Sequence, residues 1–457
     1  MKRIFYLLML LPFGLWAQND FVRHIITPEG EVTFWRGTQQ LWVSSITSPP
    51  VYKATYYVAP WGDDDDPGTF EEPWQSWQKG FYGPDPGDTC YFRGGEYEPI
   101  NGNPAVSYAA VYLGAGTGGT LGNPKNIWAY PGEVPVLNCY TADRSINYGV
   151  FLQAADYMNI RGLHIKNALQ ETDGTPIGKG IYMDKCNSVI IEDCVVYNID
   201  GPAFSAYYGL SDTTQFINCD AYNCYDPYTQ APNEPGGNAD GFIFFDNDSL
   251  SYITVKGCRS WYNSDDGFDT YWSSGIIRYD SCWSFNNGYV AGNGFKLGPT
   301  HKDSVYISIR LVQNCIAAQN GVHGFTQNAF ERPSWVTLHN NVAYFNGNDG
   351  FNLELRDYFN VARNNIGYLN EGDQCDLGSE TISDHNTWDD GAPTLTAADF
   401  VSLDVNQLDN PRQADGSLPV ITCFHLVEGS DLIDAGVDVG IAYEGANPDI
   451  GYAESNY

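Results

Sequence analysis

The chain has 457 residues, with 23 Lys and Arg against 56 Asp and Glu, for a formal net charge of −33. That acidity excludes nucleic acid as a partner, because phosphate binding needs clustered Lys and Arg. It leaves open an anionic polymer, since a bound divalent cation can bridge an acidic protein to an acidic ligand.

In chain order, residues 1–17 read as an export signal. Lys2 and Arg3 give a positive start, Ile4 to Leu15 is almost wholly apolar, and Ala17 precedes Gln18-Asn19-Asp20. The run is short for a bilayer span. The first Cys is Cys90, so no lipid-modified Cys follows the cleavage point, and no other long apolar run appears. The mature chain is expected to be secreted or periplasmic, monomeric and free of a membrane anchor. Residues 18–55 read as an N-terminal cap or lead-in. Tyr56-Tyr57-Val58-Ala59-Pro60 and the stretch from Pro86 to Gly95 read as the first strands of a main domain predicted over 56–380.

From about residue 160 to 378 one phrase recurs: a β-branched run, Asn or Cys, a short alternating stretch, Asn, a polar turn, then Gly-Phe. Copies begin at Val189, Ile253, Ile276, Ile307 and Val336. The anchors Cys194, Cys219, Cys258, Cys282, Cys315, Asn341 and Asn365 are separated by 25, 39, 24, 33, 26 and 24 residues. A base period in the mid-twenties with insertions predicts an all-β parallel β-helix, a single solenoid domain with terminal caps. Coils stacked about 4.8 Å apart would place the anchor Cys in one inward column. Free buried thiols are the preferred reading, although eleven Cys in an exported chain also permit disulfides. Asn263, Asn287, Asn320, Asn346 and Asn370 each follow an anchor by five residues and predict a hydrogen-bonded Asn ladder. Residues 381–457 lose the repeat and are predicted to pack on or cap the helix.

Three consecutive coils carry charge at one phase of the repeat: Asn238-Ala239-Asp240-Gly241-Phe242, Ser264-Asp265-Asp266-Gly267-Phe268-Asp269, and Gly292-Asn293-Gly294-Phe295-Lys296-Leu297-Gly298. Equal phase means adjacency on stacked coils, so Asp240, Asp265, Asp266 and Asp269 should converge beside Lys296. A single Asp-Gly is ordinarily a turn, and Asn348-Asp349-Gly350 shows that such turns recur. The ordered set with Lys296 is not explained by turns. Clustered carboxylates call for a hard cation, for which Ca²⁺ is suited, or for raised pKa values with shared protons. A Lys beside such a cation could act as a base toward a proton alpha to a sugar carboxylate, with alkaline activity expected.

At these residues the chain resembles polysaccharide lyase family 9. The matching words are NADGF at 238–242, NSDDGFD at 263–269 and GNGFKLG at 292–298, with looser similarity near residue 86 and near the C-terminus. The resemblance implies a right-handed parallel β-helix enzyme that cleaves an acidic, uronate-containing polysaccharide, pectate or rhamnogalacturonan, by β-elimination. It implies Asp240, Asp265, Asp266 and Asp269 as calcium ligands and Lys296 as catalytic base. One departure bears on substrate. The family often places a small residue and then Lys after NADGF, whereas Ile243-Phe244-Phe245-Asp246-Asn247-Asp248 stands here.

Two other readings stay open. A β-helix hydrolase of polygalacturonase type would use paired carboxylates as acid and base, with His323-Gly324 as a faint echo, but it leaves Lys296 idle. A non-catalytic carbohydrate-binding helix would use aromatics such as Tyr271, Trp272 and Trp283.

Overall fold

Each coil follows the same local rules. In Ile276–Asp280, Ile277 and Tyr279 turn inward and their neighbours lie half-buried. Ser281 then adopts a left-handed backbone (φ 55°), which turns the chain through a corner and puts Cys282 inside. The short strand Trp283–Phe285 follows, and a second left-handed residue, Asn286 (φ 54°), opens the next corner. The coil closes with Phe295–Lys296. The same first-corner position is left-handed at Asn218, Gly257, Asn314, Asn340 and Asn364. Asn and Gly tolerate that conformation best, which is why the corners are rich in them.

Repetition of this unit builds three parallel sheets of 10, 12 and 10 strands. The first sheet runs from Ala109–Leu113 to Cys375–Leu377 and holds Phe295–Lys296; the second holds Ile276–Asp280; the third holds Trp283–Phe285. The chain passes from second to third to first and climbs one coil, a right-handed parallel β-helix, the usual hand for parallel crossovers. The structure is a computed structural model. It describes residues 54–455 except 101–105, 210–212, 232, 299–307, 329–333 and 354–359, together with the strands between 22 and 45. Those strands, Val22–Ile26, Glu31–Arg36 and Gln39–Ser45, form an antiparallel sheet in a unit separate from Tyr52–Tyr457. The predicted export signal at 1–17 lies outside the described residues. Among the described residues, no helix is long and apolar enough to cross a membrane.

Inside the helix, like stacks on like. Phe204, Phe242, Phe268, Phe295, Phe325 and Phe351 form one buried ladder with ring centroids 4.6 to 5.0 Å apart. Phe204 follows Ala203, but a Gly precedes each later Phe of the ladder, and crowding dictates it: a Cβ on Gly267 would lie 2.1 Å from Ser284 Oγ and 2.7 Å from the Gly294 carbonyl. The predicted thiol column is present. All eleven Cys are free, and Cys194, Cys219, Cys258, Cys282 and Cys315 are buried. The Asn ladder is present as well. The Asn263 backbone N–H and Nδ2 both donate to Asn287 Oδ1, at 3.1 and 3.0 Å, and the pattern continues through Asn320, Asn346 and Asn370. Where the thiols stop, Asn341 and Asn365 take over their column; Cys315 N–H donates to Asn341 Oδ1 at 2.9 Å.

The ends close differently. A helix at Trp77–Tyr82, capped by the Ser76 side chain, buries Trp77 and Phe81 against Phe92 of the first coils. The periodicity gave no sign of it. At the other end, Phe400, Val405, Leu408, Leu432 and Ile450 pack on Trp261, Phe285, Ile316, Val342 and Ile366, covering the outer face of the third sheet. Trp283 is buried in this contact and is not available to a sugar. A buried ion triad fastens the segment. Asp220 accepts from Arg259 (2.9 and 2.8 Å) and from Arg412 (3.0 and 2.6 Å), while Arg259 also reaches the carbonyls of Leu408 and Asn410. Removing one member of a buried triad strands the others. Asp220→Ala is therefore expected to destabilise the chain by about 3–5 kcal/mol, read as a lower midpoint in denaturant unfolding, while Val420→Ala, at an exposed site, should move it little.

Candidate active site

The carboxylates come from the corners that lead into the first sheet. Register pairs Phe242 with Phe268 and Phe268 with Phe295, so Asp240, Asp266 and Asn293 share one phase on successive coils. In the strands themselves, Ile243 pairs with Asp269 and Asp269 with Lys296. These positions point outward, away from the Phe ladder.

Ligand oxygens of Asp240, Asp266 and Asp269 can all lie within 4.8 Å of one another, and all three residues are buried. Lys296 Nζ donates to Asp266 Oδ2 at 2.9 Å and to Asp269 Oδ2 at 3.0 Å, with only 14 % of its side chain exposed. It also lies 5.3 Å from the centroid of the Tyr271 ring. The Oδ1 oxygens are held in turn. Asp266 Oδ1 accepts from Asn293 N–H (2.6 Å) and Nδ2 (2.8 Å); Asp240 Oδ1 accepts from Asp266 N–H (3.2 Å); Asp269 Oδ1 accepts from Tyr271 N–H (2.7 Å). Asp265 stands next to this trio, largely buried but outside the tight oxygen cluster.

The electrostatics follow from burial and crowding. Burial, then the charges of Asp265, Asp269 and Asp266, push Asp240 well above the usual carboxylate range. Burial and Asp266 do the same to Asp265. Burial lifts Asp269 to about 6 even though Lys296 pulls it down. For Lys296, burial acts to lower the pKa, but Asp266, Asp269, Asp265 and Asp240 outweigh it and raise the amine well above its ordinary value. Such a cluster is relieved either by shared protons or by positive charge, and its all-oxygen donor set suits a hard cation such as Ca²⁺.

Two contributors were not read from the sequence. Asn293 fixes Asp266, and its place in phase with Asp240 and Asp266 was the available signal. Arg310 is fully buried behind the site at a position occupied by Ile277 and Val336 on neighbouring coils. It donates to Thr270 Oγ1 (3.2 Å) and to the carbonyls of Ser273 (2.6 Å) and Gly275 (3.2 Å), pinning the segment that follows Asp269, and burial pulls its pKa down to about 10. Asn238, by contrast, is engaged with Asp226, and His323 pairs with Asp349 at 3.3 Å rather than with the cluster.

Comparison with known proteins agrees with this architecture. The family model for the Pel9A-like right-handed β-helix region matches residues 56–365. Pectate lyase L of Dickeya chrysanthemi is 30% identical over 443 residues, covering 90% of this chain and 93% of that protein. Pectate lyase PEL9 of Emericella nidulans is 27% identical over 423 residues, covering 83% and 94%. Among solved structures, pectate lyase Pel9A superposes with a TM-score of 0.72 at 28% identity, covering 89% of this chain and 97% of that one. A rhamnogalacturonan lyase gives 0.71 at 23% identity, covering 82% and 97%, a likeness of fold. The resemblance read from the three motifs thus holds across the chain, which belongs to the Pel9A-like right-handed β-helix family and is a polysaccharide lyase.

Proposed function

We propose that the chain cleaves an acidic, uronate-containing polysaccharide, pectate or rhamnogalacturonan, by calcium-dependent β-elimination with Lys296 as base. The observation that carries this reading is the amine of Lys296 hydrogen-bonded to two buried carboxylates of one oxygen cluster. Asp240, Asp266 and Asp269 are the residues suited to hold calcium, with Asp265 at its open side. Bound there, calcium would supply counter-charge to these oxygens and to the carboxylate of the sugar, making the adjacent C–H more acidic.

The chain's own groups do the rest. Asp266 and Asp269 aim the Lys296 amine, and Asn293 fixes Asp266. As the neutral amine, Lys296 takes the C5 proton of the uronate, the freed electron pair forms the C4–C5 double bond, the C4–O4 bond breaks, and the leaving oxygen takes a proton from solvent. The four carboxylates that hold the amine protonated are the groups whose charge calcium would offset, so the step is expected to need both calcium and alkaline pH. The names of the relatives support a pectic substrate, and the signal-like start supports export. A single amine as base also accounts for what the hydrolase reading leaves idle.

Elimination leaves a double bond conjugated to the carboxylate, which absorbs ultraviolet light; hydrolysis does not. Absorbance is expected to grow when polygalacturonate or rhamnogalacturonan is incubated with the protein and calcium. Lys296→Ala should lower that rate by at least about 100-fold; new reducing ends without absorbance would instead establish a hydrolase. Metal binding has a separate readout. Calcium should raise the thermal midpoint of the wild type, since a ligand that binds only the folded chain stabilises it, and Asp240→Ala should abolish that rise.

A further inference from the structure

Away from the carboxylate cluster, at the N-terminal end of the helix, two large aromatic rings stand in solvent: Trp61 is 64 % exposed and Phe70 43 %. Both sit on the loop between Thr55–Val58 and the helix Trp77–Tyr82. Val58 pairs with Phe92 and Phe92 with Ala129, so the residues that follow, Arg93 and Tyr130, leave the second sheet at one corner beside them. The Arg93 guanidinium gathers the rings. Its carbon lies 5.6 Å from the centroid of Trp61, 4.6 Å from Phe70 and 4.8 Å from Tyr130, and a cation over ring faces is attracted by each. Four strand steps separate Lys125–Ala129 from Tyr252–Lys256, the strand that leaves the coil of Asp240. The corner therefore lies roughly 19 Å along the axis from the carboxylates.

The group is held rigid. Glu133 grips Arg93, accepting from Nε at 2.9 Å and from Nη2 at 2.8 Å, and also accepts from Gly94 N–H at 2.6 Å. Tyr57 meets Phe70 edge to face at 5.3 Å. The loop that carries Trp61 is tied down as well. A Cβ on Gly62 would fall 2.3 Å from the Trp74 carbonyl oxygen. Asp63 N–H donates to the Pro73 carbonyl at 3.0 Å, and Asp64 Oδ1 accepts from Gln75 and Ser76 N–H at 3.0 and 2.8 Å.

Exposed apolar surface with a polar rim marks a contact site. A fixed aromatic ring suits the C–H face of a sugar, and the indole N–H can reach a hydroxyl. Charge sets the kind of sugar. The one cation of the group, Arg93, is matched by Glu133, and the same loop exposes Asp63, Asp65, Glu71 and Glu72. That rim repels a polyanion.

We propose that Trp61, Phe70 and Tyr130, gathered on Arg93, form a binding platform for an uncharged glycan, separate from the catalytic groove. A neutral polymer bound there holds the chain beside the acidic polymer it cleaves, since joined contacts raise each other's local concentration.

Calorimetry on the full chain carrying Lys296→Ala tests it, with cellohexaose, xylohexaose and β-1,4-galactohexaose as neutral probes and hexagalacturonate as the charged one. At least one neutral probe should bind. Trp61→Ala and Phe70→Ala should each weaken it about fivefold or more, whereas Trp61→Phe should keep most of the affinity. In the otherwise wild-type chain, Trp61→Ala should leave the growth of ultraviolet absorbance on hexagalacturonate and the thermal midpoint unchanged. No binding of any neutral probe, binding that survives Trp61→Ala, or a loss of hexagalacturonate binding or cleavage in that variant would overturn the platform. Absence of absorbance from the wild type would overturn the lyase reading instead, and the binding results would still decide the platform.

Discussion

In-register stacking of each coil on the one before it is the constraint on which everything else depends. Parallel strands pair along their full length, so a residue's neighbours across the sheet are set by its phase in the repeat. Inside, this produces columns of one residue type: Phe ladder, thiols, Asn ladder. Each column solves a local problem once and repeats the solution. The Asn ladder satisfies backbone donors at a buried corner, and the Gly before Phe242 and each later ladder Phe lets two chain segments approach closely. Outside, the same rule makes neighbours of residues about 25 apart in sequence. Asp240, Asp266 and Asn293 meet because each lies two residues before its ladder Phe, and Asp269 meets Lys296 because each lies one residue after.

The site is where the pattern is broken in favour of charge. Along the outward row of the first sheet stand Tyr182, Ser205, Ile243, Asp269, Lys296 and Thr326. Two neighbouring positions thus carry opposite charges, buried against carboxylates from the corner. Buried carboxylates without positive charge are costly, so Asp266 and Asp269 are paired with an amine and every partner oxygen has a donor. Arg310 extends the same construction behind the sheet. It places a polar side chain in the core where neighbouring coils have Ile and Val, and uses it to fix the turn after Asp269. Stability is conceded in two coils to hold a charged constellation still.

This division also explains what could be read from the sequence. Spacing was legible, because a strict fold writes its period into the chain: anchor Cys, ladder Asn and Gly-Phe all recur at fixed offsets. The charged residues were legible for the same reason, since phase alone predicts their meeting. What escaped depends on contacts between distant segments. Trp283 reads as a candidate sugar platform until residues from 400 onward are seen to cover it. Asp265 and Asp266 are adjacent letters, yet alternation turns Asp266 into the cluster and leaves Asp265 at its edge. The short helix at Trp77–Tyr82 is only six residues, too brief to show a period.

The geometry of the carboxylates separates the two kinds of catalysis this fold could support. A hydrolase needs its acid and base on opposite sides of the scissile bond, about 5–5.5 Å apart for retention and about 6.5–9.5 Å for inversion. Asp266 and Asp269 instead converge on one amine, at 2.9 and 3.0 Å, with Asp240 in the same oxygen cluster. Oxygens that converge on one point leave no room for a sugar between them. They do form a surface on which a cation and a sugar carboxylate can meet, with the Lys296 amine beside it. Elimination requires just that juxtaposition, because the proton to be removed sits on the carbon next to the carboxylate. On the proposed reading the arrangement is a one-sided site: acidity would be raised and the proton accepted from the same face of the sugar.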